Sequence, residues 1–384
     1  MHPFAGADER DLAQGVAAFA DGLRDRIAPA EAVGTIPLDI IRSLGDLGVL
    51  GMNVPESHGG LGSSAVAFAL VLEELAAVWP SLAVGVAVNG GIVCGSIARL
   101  GTPEQQRTFF PQLSDGRGLA SFCLTEPTAG SDAASLRATA RRDGDQWVID
   151  GQKLFVTSAR YAPFFIVLAR VGPAEPARPH AGITAFLVPG STAGVVIGPA
   201  EHKLGLRASD TSAVTFAGAR VPADALLGTA GKGFSEVAMA GLDAGRIGIG
   251  AQSVGIARGA LGLAIAYARE RRQFGAPIAS FQAIRFALAG VRTELEAARL
   301  LVLRAAWAKD HDLPFTREAA QAKLNASEAA NRAVSACLQV FGGYGYMREY
   351  GIERYFRDAR ATTIYEGTSE VQRMVIARSL VLAA

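Results

Sequence analysis

Residues 147–157 read WVIDGQKLFVT. Trp147, Val148 and Ile149 on one side and Leu154, Phe155, Val156 and Thr157 on the other are residues that favour a pleated, half-buried surface. Between them stands Asp150-Gly151, so the stretch predicts a β-hairpin turning at that pair. Moving toward the C-terminus, residues 164–171, 183–188 and 214–216 repeat the same short apolar runs. Residues 172–181 (GPAEPARPHA) predict an exposed loop. A small antiparallel β unit over residues 119–228 is the economical reading.

On both sides of this unit the periodicity is helical. Leu12, Val16 and Phe19 recur at helical spacing, as do Leu38, Ile41 and Leu44 after Pro37. Thr102-Pro103-Glu104 predicts a helix start, with Thr102 as N-cap and Pro103 in the first turn. After residue 234, long runs at 247–272 and 280–309 are followed by a helix from Thr316 that Gly342-Gly343 stops. Ser369 is read as the N-cap of a last helix through Leu382. Without strand–helix alternation, a doubly wound parallel sheet is excluded and an α+β arrangement of helices, sheet and helices remains.

The chain has 384 residues, 50% of them hydrophobic and 19% charged, which supports a sizeable core and excludes intrinsic disorder. Lys plus Arg number 37 against 36 Asp plus Glu, so no basic footprint for nucleic acid exists. Cys94, Cys123 and Cys337 are far apart, which fits a reducing compartment and a cytoplasmic location. Residues 1–9 are charged and lack an apolar run, so no secretory signal is expected. Residues 75–98 carry no charge, yet Pro80, Asn89 and several glycines interrupt them; buried helices are expected there rather than a membrane span. The five histidines are scattered, so no metal is expected, and His58 in the PESHGGLG loop reads as an ordinary loop residue.

GxGxxG, GxxxxGK[ST], GxSxG and HExxH are absent. Two segments nevertheless bear chemistry. Residues 122–132 (FCLTEPTAGSD) form a Pro- and Gly-shaped loop in which the Thr125 and Ser131 hydroxyls can donate to a ligand. In residues 364–370 (IYEGTSE), Glu366 stands between an aromatic ring and a glycine. A carboxylate losing hydration there gains basicity and suits proton abstraction, although Glu366 or Glu370 could equally serve a helix N-terminus.

Taken together, these segments resemble the acyl-CoA dehydrogenase family. So do GQKLFVTSA (151–159), LDAGRIGIGAQ (242–252), RRQFG (271–275) and QVFGGYGY (339–346), in the same order across nearly the whole chain. The resemblance implies an N-terminal α-helical domain at 1–118, a middle antiparallel β domain at 119–228 and a C-terminal four-helix bundle at 229–384. It also implies FAD between sheet and bundle, in a homotetramer.

Phe122, Leu124, Thr125, Gly130, Ser131, Phe155 and Thr157 would line the flavin, with Phe155 where Trp is common and Ser158 where Asn is frequent. Arg271, Gln273, Phe274, Gln282, Gln339, Gly342 and Gly343 would reach a cofactor at a subunit boundary, an Arg fork suiting a pyrophosphate. Thr368 and Glu370 match flavin contacts, and Ser131, Asp243, Arg246, Gly367 and Arg378 match the substrate side.

The implied reaction is α,β-dehydrogenation of a short- or branched-chain acyl-CoA, with Glu366 as base and an electron-transfer flavoprotein as acceptor. Some relatives carry the base on the long helix, where this chain has Gly245. With no basic residue between Ser81 and Ala98, a dicarboxylic substrate is disfavoured. Two alternatives remain: a relative acting on acyl groups tethered to a carrier protein, and a non-catalytic binding subunit.

Overall fold

The computed structural model describes residues 4–173 and 177–381. Residues 174–176 of the expected loop and Leu382 at the expected end of the last helix lie outside the described residues. The chain opens with α1 (Ala7–Asp21), α2 (Arg24–Val33), α3 (Leu38–Asp46), α4 (Ala65–Val78) and α5 (Pro80–Val86). A π-helical stretch, Ala87–Cys94, runs on into α6 (Gly95–Leu100), and α7 (Pro103–Ser114) follows.

The start of α7 is the expected one. Thr102 Oγ1 accepts from Gln105 N (3.2 Å) while Gln105 Oε1 accepts from Thr102 N (3.0 Å), so two backbone donors are satisfied reciprocally. Pro80–Leu100 is apolar and long enough to cross a membrane, but 89% of its most apolar window is buried inside the protein. Its one amide side chain, Asn89, is used internally: it donates to Leu113 O (3.0 Å) and accepts from Ala120 N (2.9 Å).

The middle region holds β1 (Ser121–Cys123), β2 (Thr139–Asp143), β3 (Gln146–Thr157), β4 (Phe164–Arg170), β5 (Ile183–Pro189), β6 (Val195–Ala200), β7 (Thr211–Pro222) and β8 (Leu226–Leu227). They form one sheet in the order β6-β7-β3-β2-β4-β5-β8, with β1 pairing β4 in parallel and nearly all other pairings antiparallel. The expected hairpin at Asp150-Gly151 is not one. Residues 146–157 are a single strand with a register shift between Ile149 and Gly151, and the real turn lies at Gly144-Asp145. Gly151 is required there because a Cβ would come within 2.6 Å of Ala138 Cβ.

The last region contains π-helical Phe234–Met239 running into α8 (Ala240–Glu270), a small hairpin of β9 (Arg272–Gln273) and β10 (Ala276–Pro277), then α9 (Gln282–Asp310), α10 (Thr316–Val340), α11 (Ile352–Ala361) and α12 (Ser369–Val381). Ser369 is not the N-cap of α12. Thr368 Oγ1 accepts from Val371 N (3.3 Å), and Ser369 lies inside the helix, donating to Glu328 (2.7 Å).

Helices from both ends of the chain share one apolar core, in which Leu72 and Leu75 of α4 meet Ile256 of α8, Ala305 of α9 and Ala326 of α10. The sheet is covered on both faces. Phe164, Ile166 and Leu168 of β4 pack with Val93 and Phe110, while Phe165 and Val167 pack with Ile149 and Phe216. That double burial makes β4 an unbroken apolar run.

Candidate active site

The segment between α11 and α12 is held in an uncommon conformation. Glu366 has φ 50° and Gly367 φ 92°, and a non-glycine residue in the left-handed region persists only where its surroundings impose it. Three side chains do so here. Lys323 Nζ of α10 donates to Gly367 O (2.7 Å), and Gln372 Nε2 of α12 donates to the same oxygen (2.9 Å) and to Glu366 O (3.2 Å). Tyr365 is tied by its hydroxyl to Gln252 Oε1 of α8, and Gln252 Nε2 donates in turn to Pro80 O (3.0 Å).

This backbone places the Glu366 carboxyl directly over Gly245. A Cβ on Gly245 would lie 2.1 Å from Glu366 Oε2 and 3.2 Å from Ile92 Cδ1 of the π-helical stretch. The missing side chain at 245 is therefore the space that Glu366 occupies, and this Glu366 conformer leaves no room for a carboxylate at 245. Glu366 Oε2 is fully buried and has no hydrogen-bond partner among the described residues. Burial pushes the Glu366 pKa up to about 7, against the opposing pull of the Lys323 ammonium and the Arg246 guanidinium.

Asp243 and Arg246 lie one turn apart on α8 and form an ion pair, and Asp243 also accepts from Thr316 Oγ1 (2.6 Å). Burial holds the Asp243 carboxyl above its usual range, moderated by the Thr316 hydrogen bond and Arg246. Residues 81–98 carry no cation reaching this site, but Lys309 of α9 lines a small cavity with Gly91, Phe68 and Ile247. Arg378, expected on the substrate side, is exposed on α12.

A second group of expected residues gathers at the sheet. Leu154 N donates to Thr125 O (2.8 Å), joining the 122–131 loop to β3 beside Phe155. Phe155 adopts φ 54° and stays 62% exposed, which leaves a phenyl face open for stacking. The hydroxyls of Thr125, Ser131 and Thr157 make no hydrogen bond among the described residues. An open aromatic face and uncommitted donors fit a flavin ring.

The loop rests on a pair that the sequence reading did not single out. Lys153 Nζ, fully buried, donates to Glu126 Oε1 (2.7 Å) and Leu124 O (3.2 Å), while Glu126 also accepts from Arg137 N (2.6 Å) and Ala138 N (2.9 Å). His58 is a loop residue whose ring meets Phe110 edge-on at 5.0 Å.

The third group stands apart. The Arg271 guanidinium lies over the Tyr344 ring (5.1 Å), bringing the β9–β10 hairpin to the segment that contains Gly342 and Gly343. Phe274 is 95% exposed with φ 50°, and Gln273, Gln282 and Gln339 are exposed. No hydrogen bond or ion pair connects these residues to the Glu366 group among the described residues. A half-buried Arg with exposed Gln and glycine backbone fits the anionic and polar end of a dinucleotide.

The α–β–α chain thus carries a buried, unpartnered carboxylate oxygen among its helices and an open aromatic face on β3, two features an oxidoreductase site would use. The comparisons with known proteins agree. Models of the acyl-CoA dehydrogenase N-terminal, middle and C-terminal domains match residues 6–117, 121–219 and 231–381. A probable acyl-CoA dehydrogenase, YngJ, of Bacillus subtilis (strain 168) is 44% identical over 94% of this chain and 95% of its own. The mitochondrial short-chain specific acyl-CoA dehydrogenase of Bos taurus is 45% identical over 90% and 82%.

Among solved structures, butyryl-CoA dehydrogenase from Megasphaera elsdenii superposes with a TM-score of 0.94 at 37% identity, covering 98% of this chain and 99% of the other. Glutaryl-CoA dehydrogenase from Mycobacterium smegmatis in complex with FADH2 gives 0.92 at 32%, covering 98% and 95%. The prolyl acyl carrier protein oxidase AnaB gives 0.91 at 29%, covering 98% and 100%. The chain belongs to the acyl-CoA dehydrogenase family and is an oxidoreductase of that family.

Proposed function

We propose that the protein binds FAD and dehydrogenates a short- or branched-chain acyl-CoA to the trans-2-enoyl thioester, with Glu366 as the base. The observation that carries this reading is Glu366 Oε2: buried, unpartnered, seated over Gly245 and raised to about pH 7. A carboxylate with that basicity and a free lone pair suits removal of the proton α to a thioester carbonyl. FAD, when bound, supplies the two-electron acceptor for the hydride that leaves the β-carbon.

In this reading Thr125, Thr157 and Phe155 receive the flavin ring, and Arg271 with Gln339, Gly342 and Gly343 serves the cofactor of a neighbouring copy in a homotetramer. Asp243 and Arg246 flank the acyl group. Ile92 of the π-helical stretch borders the space over Gly245, and the likeness to short-chain relatives favours a short or branched acyl chain. Electrons then pass to an electron-transfer flavoprotein. The three cysteines, buried and free, accord with a cytoplasmic location.

A thioester on a carrier protein is the second reading, favoured by the likeness to AnaB, although the short-chain relatives are the more similar in sequence. A panel of CoA and carrier-protein thioesters, mixed anaerobically with the purified protein and followed by loss of flavin absorbance, tests both. The expected result is fastest bleaching by a short-chain CoA thioester. A protein that stays colourless with excess FAD, or that bleaches with no thioester, would refute the proposal.

A further inference from the structure

We infer that Lys323 is a positioning residue for the Glu366 carboxylate: it anchors the Gly367 carbonyl and sets the charge of the site without occupying the base. This rests on the reading of Glu366 as the base. Lys323 stands in the alanine-rich middle of α10, with no exposed surface. A buried ammonium needs a partner, and a carboxylate is the usual one. Among the described residues, however, Lys323 and Glu366 form no ion pair within 4.0 Å; Lys323 Nζ donates instead to Gly367 O at 2.7 Å.

That choice has a chemical consequence. A direct hydrogen bond from Lys323 to Oε2 would occupy one of its lone pairs and lower its basicity toward a substrate proton. Directed at the carbonyl one residue on, the ammonium stabilises the carboxylate through space and leaves its lone pair free. The effect runs both ways: burial lowers the Lys323 pKa to about 8, while Glu366 pulls it back up.

The charged groups around Glu366 are few. From α8 come Arg246 and its partner Asp243; from α10, Lys323 with Glu328 beyond it; from α12, Glu370, which is exposed. Tyr365 is held neutral by burial first and by Glu366 second. Arg246 is already paired with Asp243, so Lys323 is the cation whose removal alters the field at Oε2 most. Gln372 shares the anchoring of Gly367 O but carries no charge, which separates the two roles of Lys323.

The test compares K323M, K323R and Gln372→Leu as FAD-loaded proteins. The Glu366 carboxyl is titrated by infrared difference spectroscopy, with E366Q as the blank, and the pH profile of flavin reduction by an active thioester is recorded in parallel. K323M should move both the carboxyl midpoint and the acid limb upward by ~1 pH unit or more, the range for loss of a nearby opposite charge. K323R should restore them, and Gln372→Leu should leave both in place.

An unmoved midpoint in K323M, or an equal shift in Gln372→Leu, would overturn the proposal. If K323M does not fold, K323Q, which keeps a donor for Gly367 O, decides it by the same shift. Collapse of both neutral variants would assign Lys323 a purely structural role and also overturn it. Failure of the underlying reading looks different: E366Q itself would then still reduce the flavin.

Discussion

Glu366 combines a left-handed backbone, an unpartnered buried oxygen and a pKa raised to about 7, and each of these costs folding free energy. The folded protein holds this proton up to about pH 7, whereas the unfolded chain releases it near the ordinary value of 4.5. Stability contributed by the protonated group is therefore complete below pH 4.5 and lost as pH rises through 7. Gln at 366 mimics the protonated form at every pH. Denaturant melts should show E366Q about as stable as the parent at pH 4.5 and about 3 kcal/mol more stable at pH 8. A stability difference independent of pH would contradict this electrostatic account. Its aromatic and glycine neighbours marked Glu366 as a candidate in the sequence, but they suit a helix N-terminus equally well, and it was the resemblance to the family that singled it out. Lys323 was not, because it is separated from Glu366 by 43 positions and sits in a helix whose pattern marks only an apolar face.

At the scale of elements, the loop before β2 is fixed by one buried ion pair. Breaking such a pair by removing one partner leaves an uncompensated charge inside the protein and costs ~3–5 kcal/mol. K153M should therefore lower unfolding free energy by about that amount, and the 122–131 loop should gain hydrogen exchange. K153M with unchanged stability and exchange would show that the loop is held by something else. The same strand marks a limit of local reading. Asp150-Gly151 has the composition of a turn, but the glycine answers the close approach of Ala138, a contact fixed by the neighbouring strand. The Thr102 N-cap was legible because its partners lie within four residues, although the reciprocal bond from Gln105 was not read. Ser369 was misplaced by one position because Thr and Ser are both good caps, and Glu328 of a distant helix claims the serine.

At the scale of the whole molecule, the α–β–α division was legible because the hydrophobic period changes near residue 119 and again after 228. The periodicity did not reveal that both helical parts share one core, since packing between α4 and α8 joins residues nearly two hundred positions apart. Exposed Phe274 and Tyr346, at 95% and 84%, lie in the segments proposed to meet a neighbouring copy. Cofactor retention should therefore depend on assembly. R271A should weaken FAD binding by about 1.5–3 kcal/mol, the loss typical of a hydrogen bond to a charged group, without changing the fold. Sedimentation with flavin absorbance checks this, and a monomer that holds FAD tightly would contradict the assembly.

The central claim is that one carboxylate, Glu366, takes the α-proton. Its most direct test is anaerobic rapid mixing of FAD-loaded E366Q with the thioester that bleaches the parent protein fastest. The account predicts retained FAD and retained thioester binding, with flavin bleaching slowed by at least ~10²-fold, the lower bound for loss of a general base. Bleaching at near the parental rate would contradict it.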